Sequence, residues 1–210
     1  MVSKWYAKHV NDPYVKKANK EGYRSRAVFK LQEIQDKTKV IKSGDAVADL
    51  GSAPGAWSEY LVKLVGAKGR VVSCDLLLMQ DIKGVAFIQG DFCAKDTQDQ
   101  MLGECAKFDV IVSDMAPNMC GHQQTDQLRA MSLCELVIDI AKQCLKQDGC
   151  ILMKTFQGVG FKEMLTELRG QYKSVSLAKP KASMRSASEV YIVAKGYKRK
   201  HVLAKTGDQE

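Results

Sequence analysis

The chain has 210 residues, 45% of them hydrophobic, and a formal net charge of +8. That length and apolar content suit one ordinary domain with a full core, with no need for disulfide or metal staples. The charge points to an anionic partner, and no apolar run approaches the ~18 residues a membrane helix needs.

Residues 1–30 read as a basic arm and the start of a helix, 31–197 as a single domain, and 198–210 as a polar tail. The arm carries Lys4, Lys8, Lys16, Lys17, Lys20, Arg24, Arg26 and Lys30 against only Asp12 and Glu21. Its aromatics are Trp5, Tyr6, Tyr14, Tyr23 and Phe29. The opening Met1-Val2-Ser3-Lys4-Trp5-Tyr6 has no apolar leader behind it. The 7 cysteines (Cys74, Cys93, Cys105, Cys120, Cys134, Cys144 and Cys150) include no C-x-x-C pair. Zinc and redox motifs therefore find no support, no metal is expected, and an odd count fits small core thiols in a reducing cytoplasm.

Arg24 to Gln35 reads as an amphipathic helix with Ala27, Leu31 and Ile34 on one face. Ser43-Gly44 breaks the chain before a first buried strand, Ala46 to Leu50. A glycine loop follows, then a helix from Ala56 to Val65 that Gly66 ends. Further strands are expected at Val71 to Asp75, Val85 to Gln89 and Phe108 to Ser113. A long helix spans Thr125 to Leu145, and a fifth strand, Cys150 to Met153, ends at Lys154. Phe161 to Leu168 is a helix, and Tyr172 to Leu177 and Glu189 to Ala194 are strands joined by a basic loop. This alternation predicts an α/β fold with a doubly wound, Rossmann-like sheet, mostly parallel, ending in an antiparallel C-terminal edge hairpin.

The glycine loop is Asp49-Leu50-Gly51-Ser52-Ala53-Pro54-Gly55. It lies straight after the first strand, where glycine permits a tight turn and close ligand approach. It is not G-x-G-x-x-G, which weakens a dinucleotide oxidoreductase. Asp75, about twenty residues on, ends the second strand, where a carboxylate accepts ribose hydroxyls. Asp91 ends the third and is suited to an adenine amino group, with Phe92 against the ring. A loop without a phosphate-binding lysine suits an adenosine lacking phosphates, and S-adenosyl-L-methionine is the obvious candidate. Asp49 would then hold the amino end of its methionine moiety.

Four distant residues, Lys30, Asp114, Lys154 and Glu189, read as one active site. The last three sit at strand ends, where such sheets place catalytic groups. A lysine ending the apolar run Cys150 to Met153 is costly to bury without partners. Paired lysines and carboxylates beside such a loop suggest metal-free group transfer to a poorly acidic hydroxyl. His9, His122 and His201 lie in loops or the tail, so histidine-based hydrolysis has little footing.

Several segments together resemble the FtsJ/RrmJ family of RNA 2′-O-methyltransferases. They are Ser25 to Leu31, Asp49 to Ser58, Cys74 to Leu77, Gln89 to Phe92, Ser113 to Asn118, Lys154 to Gly158 and Arg185 to Tyr191. They cover nearly the whole chain in order. The resemblance implies a Rossmann-like methyltransferase sheet, S-adenosylmethionine as cofactor, and a K-D-K-E tetrad of Lys30, Asp114, Lys154 and Glu189. Cofactor contacts would come from Asp49, Gly51, Ser52, Pro54, Gly55, Trp57, Asp75, Asp91, Phe92 and Asp114. Ala56 departs from the pattern, standing where a second glycine is common.

Within the family the chain is most similar to bacterial members that methylate a uridine of large-subunit (23S) ribosomal RNA. That implies a monomer acting in the cytoplasm on the assembled or assembling large ribosomal subunit. Lys154 would contact the 2′-oxygen and Lys30 would stabilise charge building there, while Asp114 and Glu189 orient the lysines. A second ammonium and two carboxylates act on Lys154 in opposite senses, so base and positively charged guide both stay open. Lys4, Lys8, Lys16, Lys17, Arg24 and Arg26, with Lys179, Lys181 and Arg185 of the later loop, would meet RNA phosphates. Arm aromatics would stack on bases or pin the arm to the domain. A tRNA or mRNA-cap 2′-O-methyltransferase and a non-catalytic RNA-binding module on the same fold are the alternatives.

Overall fold

The computed structural model describes residues 12–118, 120–183 and 188–199. In chain order the elements are α1 (Pro13–Glu21), α2 (Val28–Thr38), β1 (Ala46–Leu50), α3 (Ala56–Val65), β2 (Arg70–Asp75), β3 (Val85–Gln89) and α4 (Lys95–Glu104). There follow β4 (Phe108–Ser113), α5 (Gln123–Cys144), β5 (Leu145–Phe156), α6 (Phe161–Gln171), β6 (Tyr172–Ala178) and β7 (Glu189–Tyr197). The strands form one sheet in the order β3-β2-β1-β4-β5-β7-β6. β3, β2, β1, β4 and β5 pair in parallel, and β7 pairs antiparallel to both β5 and β6. The expected antiparallel hairpin is present at the edge, with β7 inside it and β6 outermost.

The two-residue period of the strands divides the core between the two faces of the sheet. Ala48, Leu50, Ile111, Ile151, Met153 and Ile192 pack with Met131, Val137 and Ala141 of α5 and Leu165 and Leu168 of α6. Val47, Val71, Val110, Val112, Leu152, Tyr191 and Val193 face the other way, against Leu31 and Ile34 of α2 and Trp57, Leu61 and Val65 of α3. Each such aliphatic side chain, fully buried, contributes about 2 kcal/mol.

Four elements differ from the sequence expectation. α2 begins at Val28 rather than Arg24, because residues 22–27 turn the chain between α1 and α2. α1 lies within the polar arm, where apolar patterning is weak and only Ala18 is buried. It forms because Asp12 caps it, accepting from the Tyr14 N–H at 2.8 Å, with Pro13 in the first turn and Gly22 closing it at φ 73°. The rings of Tyr14 and Tyr23 both lie 5.8 Å from that of Phe29, which fixes α1 against α2. α4 has almost no apolar stripe, burying only Thr97 and Met101, and sequence periodicity does not reveal it. β5 runs on past Lys154 to Phe156, because Thr155 and Phe156 pair with Val190 and Glu189 of β7.

Candidate active site

Strand parity assembles the tetrad. Lys154 shares the sheet face of Leu152, two residues earlier, and Glu189 shares the face of Tyr191. Asp114 follows β4 on the parity of Val110 and Val112. All three therefore face α2, whose first turn supplies Lys30. Lys154 lies directly across the β5–β7 ladder from Tyr191.

Ion pairs join the four. Lys154 Nζ lies 2.9 Å from Asp114 Oδ1 and donates to the Asp114 backbone oxygen at 2.5 Å. Lys30 Nζ is 2.8 Å from Glu189 Oε1 and 3.8 Å from Asp114 Oδ1. The side chains are sequestered: 7% exposed for Lys154, 8% for Lys30, 13% for Glu189 and 18% for Asp114. Charges so buried persist because each has an opposite partner.

Two further residues complete the cluster. The Tyr191 hydroxyl donates to Asp114 Oδ1 at 2.5 Å, and the Ser183 hydroxyl donates to Glu189 Oε1 at 2.6 Å. Burial, then the charges of Asp114 and Glu189, push the Tyr191 phenol well above its ordinary range, so it remains a neutral donor. Burial pushes the Glu189 carboxyl upward, but Lys30, the Ser183 hydroxyl and Lys154 together hold it below the usual glutamate range. Sequence reasoning missed both residues. Tyr191 was detectable, since it stands two residues from Glu189 and so on the same face. Ser183 carries no such signal, because a loop has no fixed period.

Beside the tetrad, at the carboxyl ends of β1, β2, β3 and β4, opens a cavity of about 930 Å3. Gly51, Asp75, Asp91, Phe92 and Asp114 line it. Asp114 thus belongs to both cavity and tetrad. Gly51 turns at φ 74°, and a Cβ there would stand 2.1 Å from Met115 Cγ, so the turn and the cavity floor both need glycine. The Asp75 carboxylate is fixed by N–H donors from Ala53 and Leu77, both at 2.8 Å, and each oxygen keeps a lone pair for a hydroxyl. Asp91 accepts from the Cys93 N–H at 2.9 Å.

Other expected cofactor residues lie beneath or behind this surface. Asp49 is 1% exposed and accepts from the Ser58 hydroxyl at 2.6 Å under the glycine loop. Burial, joined by the charges of Asp114 and Asp75 and opposed by Ser58, pushes its carboxyl up to about 7. Trp57 sends its ring into the α2–α3 core and its indole N–H to the Ala27 carbonyl at 2.8 Å. Ser52 and Gly55 are buried in the loop, and Pro54 lies exposed on it.

The donor set fits a cationic, phosphate-free nucleoside. Among the described residues, three carboxylates and a single guanidinium, that of Arg129, line the cavity, a field that attracts a sulfonium and repels a pyrophosphate. Among the described residues no cluster of histidines, cysteines and carboxylates has metal-binding geometry.

The basic residues divide. Lys16, Lys17, Lys179 and Lys181 are exposed. Arg26 is ion-paired with Asp12, and Arg24 donates to the carbonyls of Pro54, Gln80 and Asp81. Lys4, Lys8 and Arg185 lie outside the described residues.

Residues 23–197 match the model of the FtsJ-like methyltransferase family. A provisionally assigned ribosomal RNA methyltransferase from Plasmodium falciparum superposes with a TM-score of 0.75 at 27% identity, over 85% of this chain and 100% of that one. A provisionally assigned rRNA-methylase from Clostridium thermocellum shares the fold, with a TM-score of 0.53 at 20% identity, over 79% of this chain and 96% of that one.

Proposed function

Because the chain belongs to the FtsJ-like methyltransferase family, we propose that it transfers the methyl group of S-adenosylmethionine to a ribose 2′-hydroxyl of a uridine in 23S ribosomal RNA. Asp114 carries this reading, as the one residue among those described that is shared by the acidic cavity and the paired-lysine cluster. A cofactor in the cavity and a hydroxyl at the lysines therefore meet across a single side chain. When bound, S-adenosylmethionine supplies a methyl already activated by its sulfonium, and the chain's own residues position, neutralise and exclude water.

Asp75, with both oxygens anchored by backbone N–H groups, receives the ribose of the cofactor. Phe92 packs against the base, and Asp91 accepts from its amino group. Two contacts of Lys154 go to Asp114, leaving one tetrahedral position of Nζ for the substrate oxygen. That position carries either the lone pair that takes the hydroxyl proton or a third N–H that guides the hydroxyl, whose proton then leaves to solvent. Lys30, held by Glu189, adds positive charge where the oxygen becomes anionic. In-line attack by the positioned hydroxyl accounts for much of the rate. Lys16 and Lys17 on α1 and Lys179 and Lys181 after β6 contact phosphates, and the chain acts as a cytoplasmic monomer on the large ribosomal subunit. The relative from Plasmodium falciparum, by name a ribosomal RNA methyltransferase, supports an RNA substrate.

Incubation with methyl-labelled cofactor and each RNA class, followed by mapping of the modified sugar, tests this. Label on the ribose of a 23S uridine is expected. Label on tRNA, on a cap, or on a base would contradict it.

A further inference from the structure

Three distant stretches of chain meet at one guanidinium. Arg24, in the turn between α1 and α2, donates from Nη1 to the Pro54 carbonyl at 3.1 Å and the Gln80 carbonyl at 2.8 Å, and from Nη2 to the Asp81 carbonyl at 3.0 Å. Pro54 belongs to the glycine loop. Gln80 and Asp81 belong to residues 76–84, which contain neither helix nor strand. The glycine loop and this second loop both line the cavity, the first through Gly51 and Ala53, the second through Leu76 and Leu77.

Apart from Arg24, the second loop is held by Gln89 Nε2, which donates to the Leu76 carbonyl at 3.2 Å, and by Met79, which is buried. Leu76, Leu77 and Leu78 are 67%, 69% and 77% exposed, so its start is not buried in the core. Its inner anchor is the Ala53 N–H bond to Asp75. Its outer anchor is Met79 and Ile82 packed on Gly55, where an added Cβ would lie 2.7 Å from each and 3.3 Å from Arg24 Nη1. The guanidinium closes that outer joint. Charged donors to carbonyls make strong hydrogen bonds, and a planar fork meets several acceptors at fixed angles.

We propose that Arg24 is a positioning residue of the cofactor cavity, clamping its two walls at the separation the nucleoside requires, rather than a phosphate contact for RNA. This rests on the cavity being the S-adenosylmethionine site. Without the clamp the second loop samples wider arrangements, and apparent affinity falls by the fraction of molecules left competent.

The test titrates S-adenosylmethionine into the full chain without RNA, by calorimetry, for wild type, Arg24→Ala and Arg24→Lys. A ribosomal RNA fragment is bound in parallel across a salt series. Both variants should raise the cofactor Kd about ten-fold or more. In turnover the cofactor KM should rise while the RNA KM stays put. Lysine should not rescue, because one ammonium cannot serve three carbonyls in a fork. Wild-type cofactor affinity in Arg24→Lys would overturn the proposal. So would intact cofactor binding in Arg24→Ala with a salt slope for RNA reduced by about one, the signature of a lost phosphate contact. Should Arg24→Ala fold poorly, hydrogen exchange at residues 77–84 of Arg24→Lys decides: faster exchange supports the clamp and unchanged exchange contradicts it. A wild-type protein that binds no S-adenosylmethionine would sink the methyltransferase reading itself, a result distinct from wild-type binding that Arg24→Lys leaves intact.

Discussion

Ser183→Ala removes one hydroxyl from a buried carboxylate and leaves the rest of the tetrad in place. Glu189 Oε1 accepts from Lys30 Nζ at 2.8 Å and from Ser183 at 2.6 Å. Ser183 is 5% exposed, so water does not readily replace its hydroxyl. A hydrogen bond to a charged group contributes about 1.5–3 kcal/mol. With the Glu189 side chain only 13% exposed, solvent screening reduces that little. The expected loss is about 2 kcal/mol, or roughly 4–8 °C in Tm for a chain of this size. The loss depends on pH. The Glu189 carboxyl is held low by Lys30, Ser183 and Lys154 against burial. Its contribution is therefore complete above the unfolded glutamate pKa of about 4.3 and disappears as pH falls through the folded value. Denaturant titrations at a series of pH values should show the full deficit at pH 7 and its closure in acid. Turnover should fall with cofactor affinity unchanged, and Ser183→Thr should restore both stability and rate. A deficit that stays constant into acid, or no deficit, would refute a carboxylate-directed role for Ser183.

Lys154→Arg keeps the charge but cannot accept a proton near neutrality. If Lys154 is the base, the wild-type pH–rate profile has an ascending limb that the variant lacks; a flat wild-type profile contradicts a base and favours the guiding N–H. Asp49→Asn should grow more stable relative to wild type as pH rises. With the folded carboxyl at about 7, protonation stabilises wild type fully below the unfolded pKa of about 3.9, and this is lost progressively up to the folded value. The amide has no such loss, so an advantage on the order of 4 kcal/mol should develop by about pH 7 and then level off; an advantage independent of pH would contradict the assignment. Gly51→Ala should destabilise by more than about 1 kcal/mol and abolish cofactor binding, because φ 74° and Met115 Cγ at 2.1 Å both oppose a Cβ; wild-type affinity in calorimetry would show that the loop has room. Removing Lys16 and Lys179 should each lower the salt slope of RNA binding by about one, leaving the cofactor Kd unchanged.

Much of the fold was legible because its central strands are buried on both faces. Runs such as Ala46 to Leu50 and Phe108 to Ser113 are apolar enough to mark themselves. α1 and α4 were illegible for the opposite reason, since each buries only one or two residues, and α1 owes its place to its caps while α4 has no side-chain cap. Asp114, Lys154 and Glu189 were visible as charged residues at strand ends, and sheet parity explains how they converge on Lys30 in the first turn of α2. Its supporting hydroxyls were visible only in part: Tyr191 follows the two-residue period from Glu189, whereas Ser183 depends on loop geometry no pattern encodes. Arg24 shows the limit of reading charge. In sequence it is one more basic residue of the arm, and only the folded chain reveals that its donors go to the carbonyls of two distant loops.

The most direct measurement compares wild type with Lys154→Ala, using labelled S-adenosylmethionine and large ribosomal subunits, with cofactor binding followed in the same preparations. Wild type should place the label on a single uridine ribose, and Lys154→Ala should bind the cofactor yet transfer nothing. Undiminished transfer by Lys154→Ala, or label on any atom other than a ribose 2′-oxygen, would contradict the shared site around Asp114.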